Sequence, residues 1–170
     1  FAKAQEVLEQ LPVSDVIAWN ALIAGYAQNG QGHEALNCYM EMTRKGLRPN
    51  EVTLSCILKA CGSSGAIDKG KQVHEEIISR GLLKSNVVLG TALVDMYVKC
   101  GLLAKAQEVL NELPVRDIIT WNSLVAGYTQ SGKCHEAWNC LIEMQREGLT
   151  PNDVTFICIL KACGSTRAIN

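Results

Sequence analysis

Residues 1–68 of this chain recur, at about two-thirds identity, as residues 103–170. The offset is 102 residues throughout, so DVIAWNALIAGY at residues 15–26 returns as DIITWNSLVAGY at residues 117–128. A chain that repeats itself at a long fixed period is built from stacked units, each in contact with its neighbours. Such arrays commonly present an extended surface to a long partner. The repeat therefore predicts a solenoid with a binding face.

Smaller helical units lie within the 102-residue period. Apolar residues spaced three and four apart mark an amphipathic stripe from Trp19 to Tyr26, and similar stripes follow in residues 54–61, 92–97 and 121–128. A glycine-containing break follows each stripe, and a second helix begins near residues 33, 67, 102 and 134. No strand pattern appears in the sequence. We therefore predict an all-α, right-handed superhelical solenoid of helix–turn–helix hairpins, at residues 16–50, 51–86, 87–117 and 118–152.

Charge and hydropathy exclude several classes of protein. The formal net charge is −1, which argues against tight, nonspecific binding to phosphates. No run of about 18 apolar residues exists, so we expect no membrane-spanning segment. The chain has no initiator methionine or leader, and it starts and stops inside repeat units. These features indicate an excerpt from a longer protein.

The eight cysteines follow the repeat. Three pairs are separated by the 102-residue offset, and no C-x-x-C motif supports a zinc site. Within one helix, Cys56 and Cys61 point in divergent directions and cannot form a disulfide. The pattern predicts reduced, buried thiols in a reducing compartment, and no cofactor, for Cys38, Cys56, Cys61, Cys100, Cys134, Cys140, Cys158 and Cys163.

The hairpins resemble those of two repeat families. Trp19, Leu22 and Tyr26 fit the start of a tetratricopeptide repeat loosely, but Ile23 stands where that family has glycine. The pentatricopeptide repeat (PPR) fits better, and over the whole chain. Residues 16–50 and 118–152 resemble P motifs. Residues 51–86 resemble an L motif, with its L-K-A-C run, and residues 87–117 resemble an S motif. At the two ends, residues 1–15 are similar to the C-terminal half of an S motif, and residues 153–170 are similar to the N-terminal half of an L motif.

Motif lengths of 35, 36 and 31 residues, in this order, resemble those of the plant PLS subclass of PPR proteins. The resemblance implies sequence-specific binding of single-stranded RNA, about one base per repeat, in mitochondria or chloroplasts. For this subclass it also implies C-to-U RNA editing, with editing cofactors or a deaminase domain elsewhere in the full protein. A tetratricopeptide-like protein-binding scaffold and a PPR spacer without strong RNA binding are the alternatives.

We predict that the chain itself is not an enzyme. His74 and Glu76 form H-x-E, the first half of a zinc-deaminase signature, but the second half, P-C-x-x-C, is absent. His33 and His135 recur at helix starts, where a solvent-facing role is the simpler interpretation.

The resemblance places base recognition at the fifth residue of each first helix and at the last residue of the motif. The corresponding pairs are Asn20 with Asn50, Ser55 with Asn86, Thr91 with Asp117, and Asn122 with Asn152. The Asn pairs resemble those that bind a pyrimidine, with cytidine preferred, and the Thr–Asp pair resembles one that binds guanosine. L motifs follow this code weakly. Since such arrays run parallel to the RNA, the expected target is 5′-C/U–N–G–C/U-3′.

The residues themselves agree with a recognition role. Asn20 lies roughly 100° from the apolar stripe, and an amide carries both donors and an acceptor for a base edge. Helix capping is the alternative for Asn20, but its recurrence as Asn122 favours base contact. Stiff β-branched side chains suited to base packing, or to ordinary packing at a helix start, are Ile17, Val52, Val88 and Ile119. Candidate phosphate contacts, or simply solvated lysines, are Lys59, Lys99 and Lys161.

The two ends predict self-association. Residues 1–12 form a second helix without its first, and residues 153–165 form a first helix without its second. Each leaves an apolar face uncovered, and such faces tend to become buried. Two chains are therefore expected to stack end to end, in a heterologous contact that can propagate.

Overall fold

The computed structural model describes Lys3, Glu6 and residues 15–167, with side chains as far as Gly164. No strand occurs in this part of the chain, and the all-helical prediction is confirmed. The helices are α1 (Val16–Gln28), α2 (Gly32–Arg44), α3 (Glu51–Ser64), α4 (Ile67–Ser79), a 3-10 turn (Leu82–Lys84), α5 (Val87–Lys99), α6 (Leu103–Glu112), α7 (Ile118–Gln130), α8 (Cys134–Arg146) and α9 (Asp153–Arg167). None of the helices in the described ranges combines the length and apolarity needed to cross a membrane.

The first helix of a hairpin begins at a side-chain cap supplied by the residue before it. Asp15 accepts a hydrogen bond from the Ala18 backbone N–H at 2.8 Å, and Asp117 does the same for Thr120 at 2.8 Å. The second helices α2, α4, α6 and α8 begin without a side-chain cap. A capping Asp or Asn is worth about 1 kcal/mol, so these residues define where each first helix starts.

Glycine follows three of the second helices, α2, α4 and α8. Gly46 follows α2 with φ of 77°, in the left-handed region that only glycine adopts readily. The chain then turns back, and the Leu47 N–H donates to the Met42 carbonyl at 3.1 Å. Gly148 follows α8 with φ of 80°, and the Leu149 N–H donates to the Met144 carbonyl. The helix end therefore has the same geometry in both copies of the repeat.

The chain divides into two compact units, Phe1–Ala92 and Leu93–Asn170, with the boundary inside α5. In the first unit, α1 packs against α2 and α3, and α3 packs against α2 and α4. The predicted stripe from Trp19 to Tyr26 is buried, as is the stripe from Leu54 to Cys61. The helical periodicity therefore predicted the buried faces of α1 and α3 correctly.

In the second unit, α7 packs against α6, α8 and α9. Gly127 makes close packing possible on one side of α7. A Cβ atom at this position would lie 2.6 Å from Val98 Cγ1 and 2.8 Å from Leu103 Cδ2. The predicted stripe from Trp121 to Tyr128 is buried, so α7 repeats the role of α1 in its own unit.

No disulfide joins the eight cysteines, all of which lie among the described residues, but their burial differs. Cys38, Cys61 and Cys140 are buried, whereas Cys163 is exposed. The remaining four are partly buried: Cys56, Cys100, Cys134 and Cys158. The prediction of a core position is therefore wrong for Cys163, because its side chain lies on the exposed side of α9.

We expect Cys163 to react with iodoacetamide at pH 8 much faster than Cys140. Burial, with the Glu136 and Glu143 carboxylates nearby, raises the pKa of the Cys140 thiol to about 12. Only the thiolate is a nucleophile, so Cys140 stays protonated and inert below that pH. Mass spectrometry of timed samples measures each site. Equal labelling rates in the native protein would contradict the burial described here.

The predicted end-to-end contact is described on one side only. Residues 1–12 lie outside the described residues, apart from Lys3 and Glu6. On α9, the side chains of Phe156, Ile157 and Leu160 are at least half exposed. Self-association through this face stays a prediction.

Candidate nucleic-acid interface

Asn20 and Asn50 lie in direct contact, although 30 residues separate them. Asn20 is the fifth residue of α1, and Asn50 is the N-cap of α3. The Asn20 Nδ2 group donates to Asn50 Oδ1 at 3.0 Å, and Thr53 Oγ1 donates to Asn20 Oδ1 at 2.6 Å. The Thr53 backbone N–H also donates to Asn50 Oδ1, at 3.0 Å. Since a backbone N–H can only donate, this bond fixes the orientation of the Asn50 amide, and hence that of Asn20.

This network leaves one polar group of the cluster facing outward. The Asn50 side chain is exposed, and its Nδ2 group has no hydrogen-bond partner among the described residues. Asn20 is 8% exposed, and both its oxygen and its nitrogen already bond within the protein. The cluster therefore presents two N–H donors from Asn50, on a side chain that is held in place by its own oxygen.

The same cluster recurs in the second unit. Asn122 Nδ2 donates to Asn152 Oδ1 at 3.0 Å, and Thr155 Oγ1 donates to Asn122 Oδ1 at 2.6 Å. The Thr155 backbone N–H donates to Asn152 Oδ1 at 3.1 Å. Each unit thus carries its own copy of the arrangement with matching distances.

The capping interpretation of Asn20 is wrong, because Asp15 caps α1. The capping residues are the partners, Asn50 and Asn152, which bond to the third residue of the following helix. Sequence reasoning missed Thr53 and Thr155, which are buried and complete the two clusters. The signal for them was the capping pattern N-x-x-T, which follows from hydrogen bonding between a cap and the third helical residue.

Ser55 and Asn86 are not joined in this way. The Asn86 Nδ2 group donates to Glu51 Oε2 at 3.0 Å, and its Oδ1 accepts from the Leu89 N–H at 3.1 Å. Ser55 is partly buried on α3. The amide donor of Asn86 is therefore engaged with an acidic side chain of its own unit.

Thr91 and Asp117 belong to different units, and each is considered alone. Thr91 Oγ1 donates to the Val87 carbonyl at 3.0 Å within α5. Asp117 Oδ1 accepts from the Thr120 N–H at 2.8 Å and from the Thr120 hydroxyl at 2.6 Å. The second carboxylate oxygen, Oδ2, has no hydrogen-bond partner among the described residues. At the place where Asn50 presents donors, Asp117 therefore presents an acceptor.

The four predicted base-packing side chains are exposed, although they are apolar and lie at the second position of a helix. Their exposed fractions run from 56% for Val52 to 75% for Ile17, with Val88 and Ile119 between. The alternative that they pack into the core at the helix start is therefore wrong. Val154 is the equivalent residue of α9, 52% exposed, and sequence reasoning missed it.

An open cavity of about 470 Å³ in the second unit brings these elements together. Its lining includes the amides of Asn122 and Asn152 and the exposed side chains of Ile119 and Val154. Lys99 and Asp95 also line it, joined by an ion pair of 2.7 Å between Nζ and Oδ2. The other predicted phosphate contacts, Lys59 and Lys161, are exposed on α3 and α9. The lining of the cavity thus combines polar amides with exposed apolar side chains.

Two family models match the chain. One, described as the PPR repeat family, matches residues 14–63 and 116–165. The other, described as the PPR repeat, matches residues 52–82 and 91–118. Together the matched ranges cover residues 14–82 and 91–165.

Curated relatives from Arabidopsis thaliana are similar over nearly the whole chain. The pentatricopeptide repeat-containing protein CRR2, named as chloroplastic, is 41% identical over 162 residues, which are 94% of this chain and 24% of that protein. A second protein named as chloroplastic is 43% identical over 166 residues, 96% of this chain and 22% of its own length. The chain thus spans about a quarter of the length of these relatives.

Solved structures show the same fold. The pentatricopeptide repeat protein PPR10 in complex with an 18-nt psaJ RNA element has a TM-score of 0.78 at 23% identity, covering 93% of this chain and 24% of that one. PPR10 from maize has a TM-score of 0.74 at 23% identity, covering 96% of this chain and 24% of that one. The predicted α-α superhelix is thereby confirmed. On its sequence matches and its fold, this chain belongs to the pentatricopeptide repeat family.

Proposed function

We propose that this chain binds single-stranded RNA in a sequence-specific manner, with about one base per hairpin. The observation that carries the proposal is the Asn–Asn–Thr cluster, present once in each unit beside an exposed β-branched side chain. The RNA complex of PPR10 supports RNA as the partner, because that protein has the same fold. The chain serves as the recognition segment of an organellar RNA-processing factor.

The free donors select pyrimidines. Cytosine offers two adjacent acceptors, O2 and N3, and uracil offers carbonyl oxygens, so either base can accept from the Nδ2 group of Asn50 or Asn152. Their amide oxygens are already used within the clusters. A guanine that turns its N1–H and N2–H donors toward this site would leave the Nδ2 group unpaired, which costs about 1–3 kcal/mol in a desolvated site.

Asp117 selects guanine by the opposite chemistry. Guanine carries N–H donors at N1 and N2, and a carboxylate oxygen accepts both kinds of bond. Since the donor of Asn86 is engaged by Glu51, the L motif contributes little base preference. The proposed target is therefore 5′-C/U–N–G–C/U-3′, with motifs at 16–50, 51–86, 87–117 and 118–152.

The biological setting is an editing factor of the PLS subclass. The order of motif lengths, 35, 36 and 31 residues, supports the subclass. Names of relatives that include the word chloroplastic support a chloroplast location, and the mitochondrion is the alternative. C-to-U conversion itself is assigned to a deaminase domain elsewhere in the full protein or to an editing cofactor, with this chain choosing the cytidine.

A gel-shift titration with short RNAs tests the proposal. RNA that carries the C/U–N–G–C/U core should shift at lower protein concentration than RNA of scrambled sequence. Equal, weak shifts with both RNAs would favour a spacer segment. No shift with any RNA, even for a chain extended by its natural flanking repeats, would favour a tetratricopeptide-like protein scaffold.

The Asp117→Asn change should convert the preference at the third nucleotide from guanine to pyrimidine. The change replaces the outward acceptor by a donor and keeps the cap on α7, because Asn caps as well as Asp. Discrimination between the two bases should move by about 1–3 kcal/mol, which is roughly 5- to 150-fold in affinity. The measurement is binding to four RNAs that differ only at this nucleotide.

The exposed Asp68→Asn change in α4 is the control, since it removes the same charge away from the cap. An Asp117→Asn protein that keeps its guanine preference would show that this pair is wrongly assigned.

A further inference from the structure

A chain of polar contacts in the first unit connects α2 and α4 to the loop before Asn50. The Tyr39 hydroxyl donates to Glu76 Oε2 at 3.2 Å. The Arg80 guanidinium forms an ion pair with the same Glu76 carboxylate, and it also donates to the Pro49 carbonyl at 2.7 Å. Arg80 thereby joins the end of α4 to the residue that precedes the cap of α3.

These contacts fix one peptide group at both of its ends. Arg80 holds the carbonyl of Pro49, and Thr53 Oγ1 accepts from the N–H of Asn50 at 3.1 Å. The carbonyl and the N–H belong to the same planar peptide unit. Holding both therefore fixes the direction in which the Asn50 side chain leaves the backbone.

The contacts are partly shielded from water, which strengthens them. Tyr39 is 4% exposed, and the side chains of Arg80 and Glu76 are 20% and 26% exposed. Burial and the Glu76 carboxylate raise the pKa of Tyr39 to about 12, so its hydroxyl remains a donor at neutral pH. Hydrogen bonds to a charged partner are about twice as strong as neutral ones.

Arg80 also lies at the proposed binding face. With Asn50 and Val52 it lines an open cavity of about 540 Å³. Only the Pro49–Asn50 peptide group lies between the Arg80 guanidinium and the Asn50 residue whose side chain contacts the base in the proposed complex.

The second unit lacks the first member of this arrangement. The counterpart of Tyr39 is Leu141, which has no hydroxyl. The second unit therefore cannot form the Tyr39 contact at the equivalent position.

We infer that Arg80, held in place by Glu76 and Tyr39, is a positioning residue that sharpens base discrimination by Asn50. The inference rests on the proposed RNA binding and adds to it a residue that supports the first Asn–Asn site. Discrimination at the first nucleotide of the target depends on Arg80, and discrimination at the fourth, which faces Asn122 and Asn152, does not.

The experiment compares Arg80→Ala, Arg80→Lys and the unchanged protein. Binding is measured to two sets of four RNAs, which vary the first or the fourth nucleotide. Arg80→Ala should lower discrimination at the first nucleotide by about tenfold and leave the fourth unchanged, because a charged hydrogen bond is lost at one site only. Arg80→Lys should restore part of the loss, since an ammonium can reach the Pro49 carbonyl but lacks the guanidinium fork.

Arg44→Ala is the matched control, because Arg44 is an exposed arginine of the same unit that pairs with Glu41. Amide hydrogen exchange gives a readout without RNA: exchange of the Asn50 N–H should accelerate in Arg80→Ala, while that of Asn152 stays constant. Unchanged discrimination at the first nucleotide, or equal losses at both nucleotides, would overturn the inference alone. If the unchanged protein showed no base preference at any position, the proposed function and this inference would both be overturned.

Discussion

Replacing Trp121 by alanine should lower the free energy of unfolding by about 3–5 kcal/mol. Trp121 is 2% exposed, in the helix that packs against α6, α8 and α9. Its indole Nε1 donates to Glu147 Oε2 at 3.0 Å, so the change removes a hydrogen bond as well as a large apolar volume. Urea denaturation followed by circular dichroism at 222 nm measures the effect.

The same substitution at Trp138 is the control. Trp138 lies on α8 in the same unit, but it is 48% exposed. Its loss should cost less than about 1 kcal/mol, because little packing is removed. Similar losses for the two variants would show that Trp121 does not occupy the packed position described here.

Changing Asn50 and Asn152 together to Asp should move base preference at two nucleotides from pyrimidine to guanine. Each Asp keeps the oxygen that caps its helix and accepts from Asn20 or Asn122, but it replaces the outward Nδ2 donors by an acceptor. Each site should contribute about 1–3 kcal/mol of discrimination. Fluorescence anisotropy with RNAs varied at the first and fourth nucleotides measures both changes.

The single variants test each of the two sites separately. Asn50→Asp should change preference at the first nucleotide only, and Asn152→Asp at the fourth only. Asn37→Asp and Asn139→Asp are matched controls, since these exposed residues are repeat counterparts on α2 and α8. If the variants and the controls lost affinity equally for all RNAs, the cause would be repulsion between the added negative charge and the phosphates, and base preference would not have changed.

Much of the fold could be predicted because its determinants are local. The stripe from Trp19 to Tyr26 follows the helical period, and an amphipathic helix buries its apolar stripe wherever a partner is found. Gly46 and Gly148 mark helix ends because their positive φ angles favour glycine. Cys163 shows where this reasoning fails. It repeats the sequence context of the buried Cys61, yet burial depends on the helix that covers it.

The candidate site was predictable as a set of positions but not as a set of contacts. The family resemblance indicated Asn20 and Asn50, and it missed the threonine that bonds to both of their amide oxygens. Thr53 could not be identified from the sequence, because a threonine near a helix start usually forms hydrogen bonds only with the cap of its own helix. Its reach to Asn20 Oδ1, across 33 residues, depends on how α1 and α3 pack.

By itself, the sequence determined the repeat, the helices, their caps and the recurrence of the Asn pairs, because these follow from periodicity and from bonds between near neighbours. Only the tertiary structure decided that Asn20 bonds to Asn50, that Asn86 bonds to Glu51, and that Arg80 holds the Pro49 carbonyl. The physical reason is that each of these bonds joins residues at least 30 apart. Their geometry is set when one helix packs on the next, and the order of residues along the chain does not specify it.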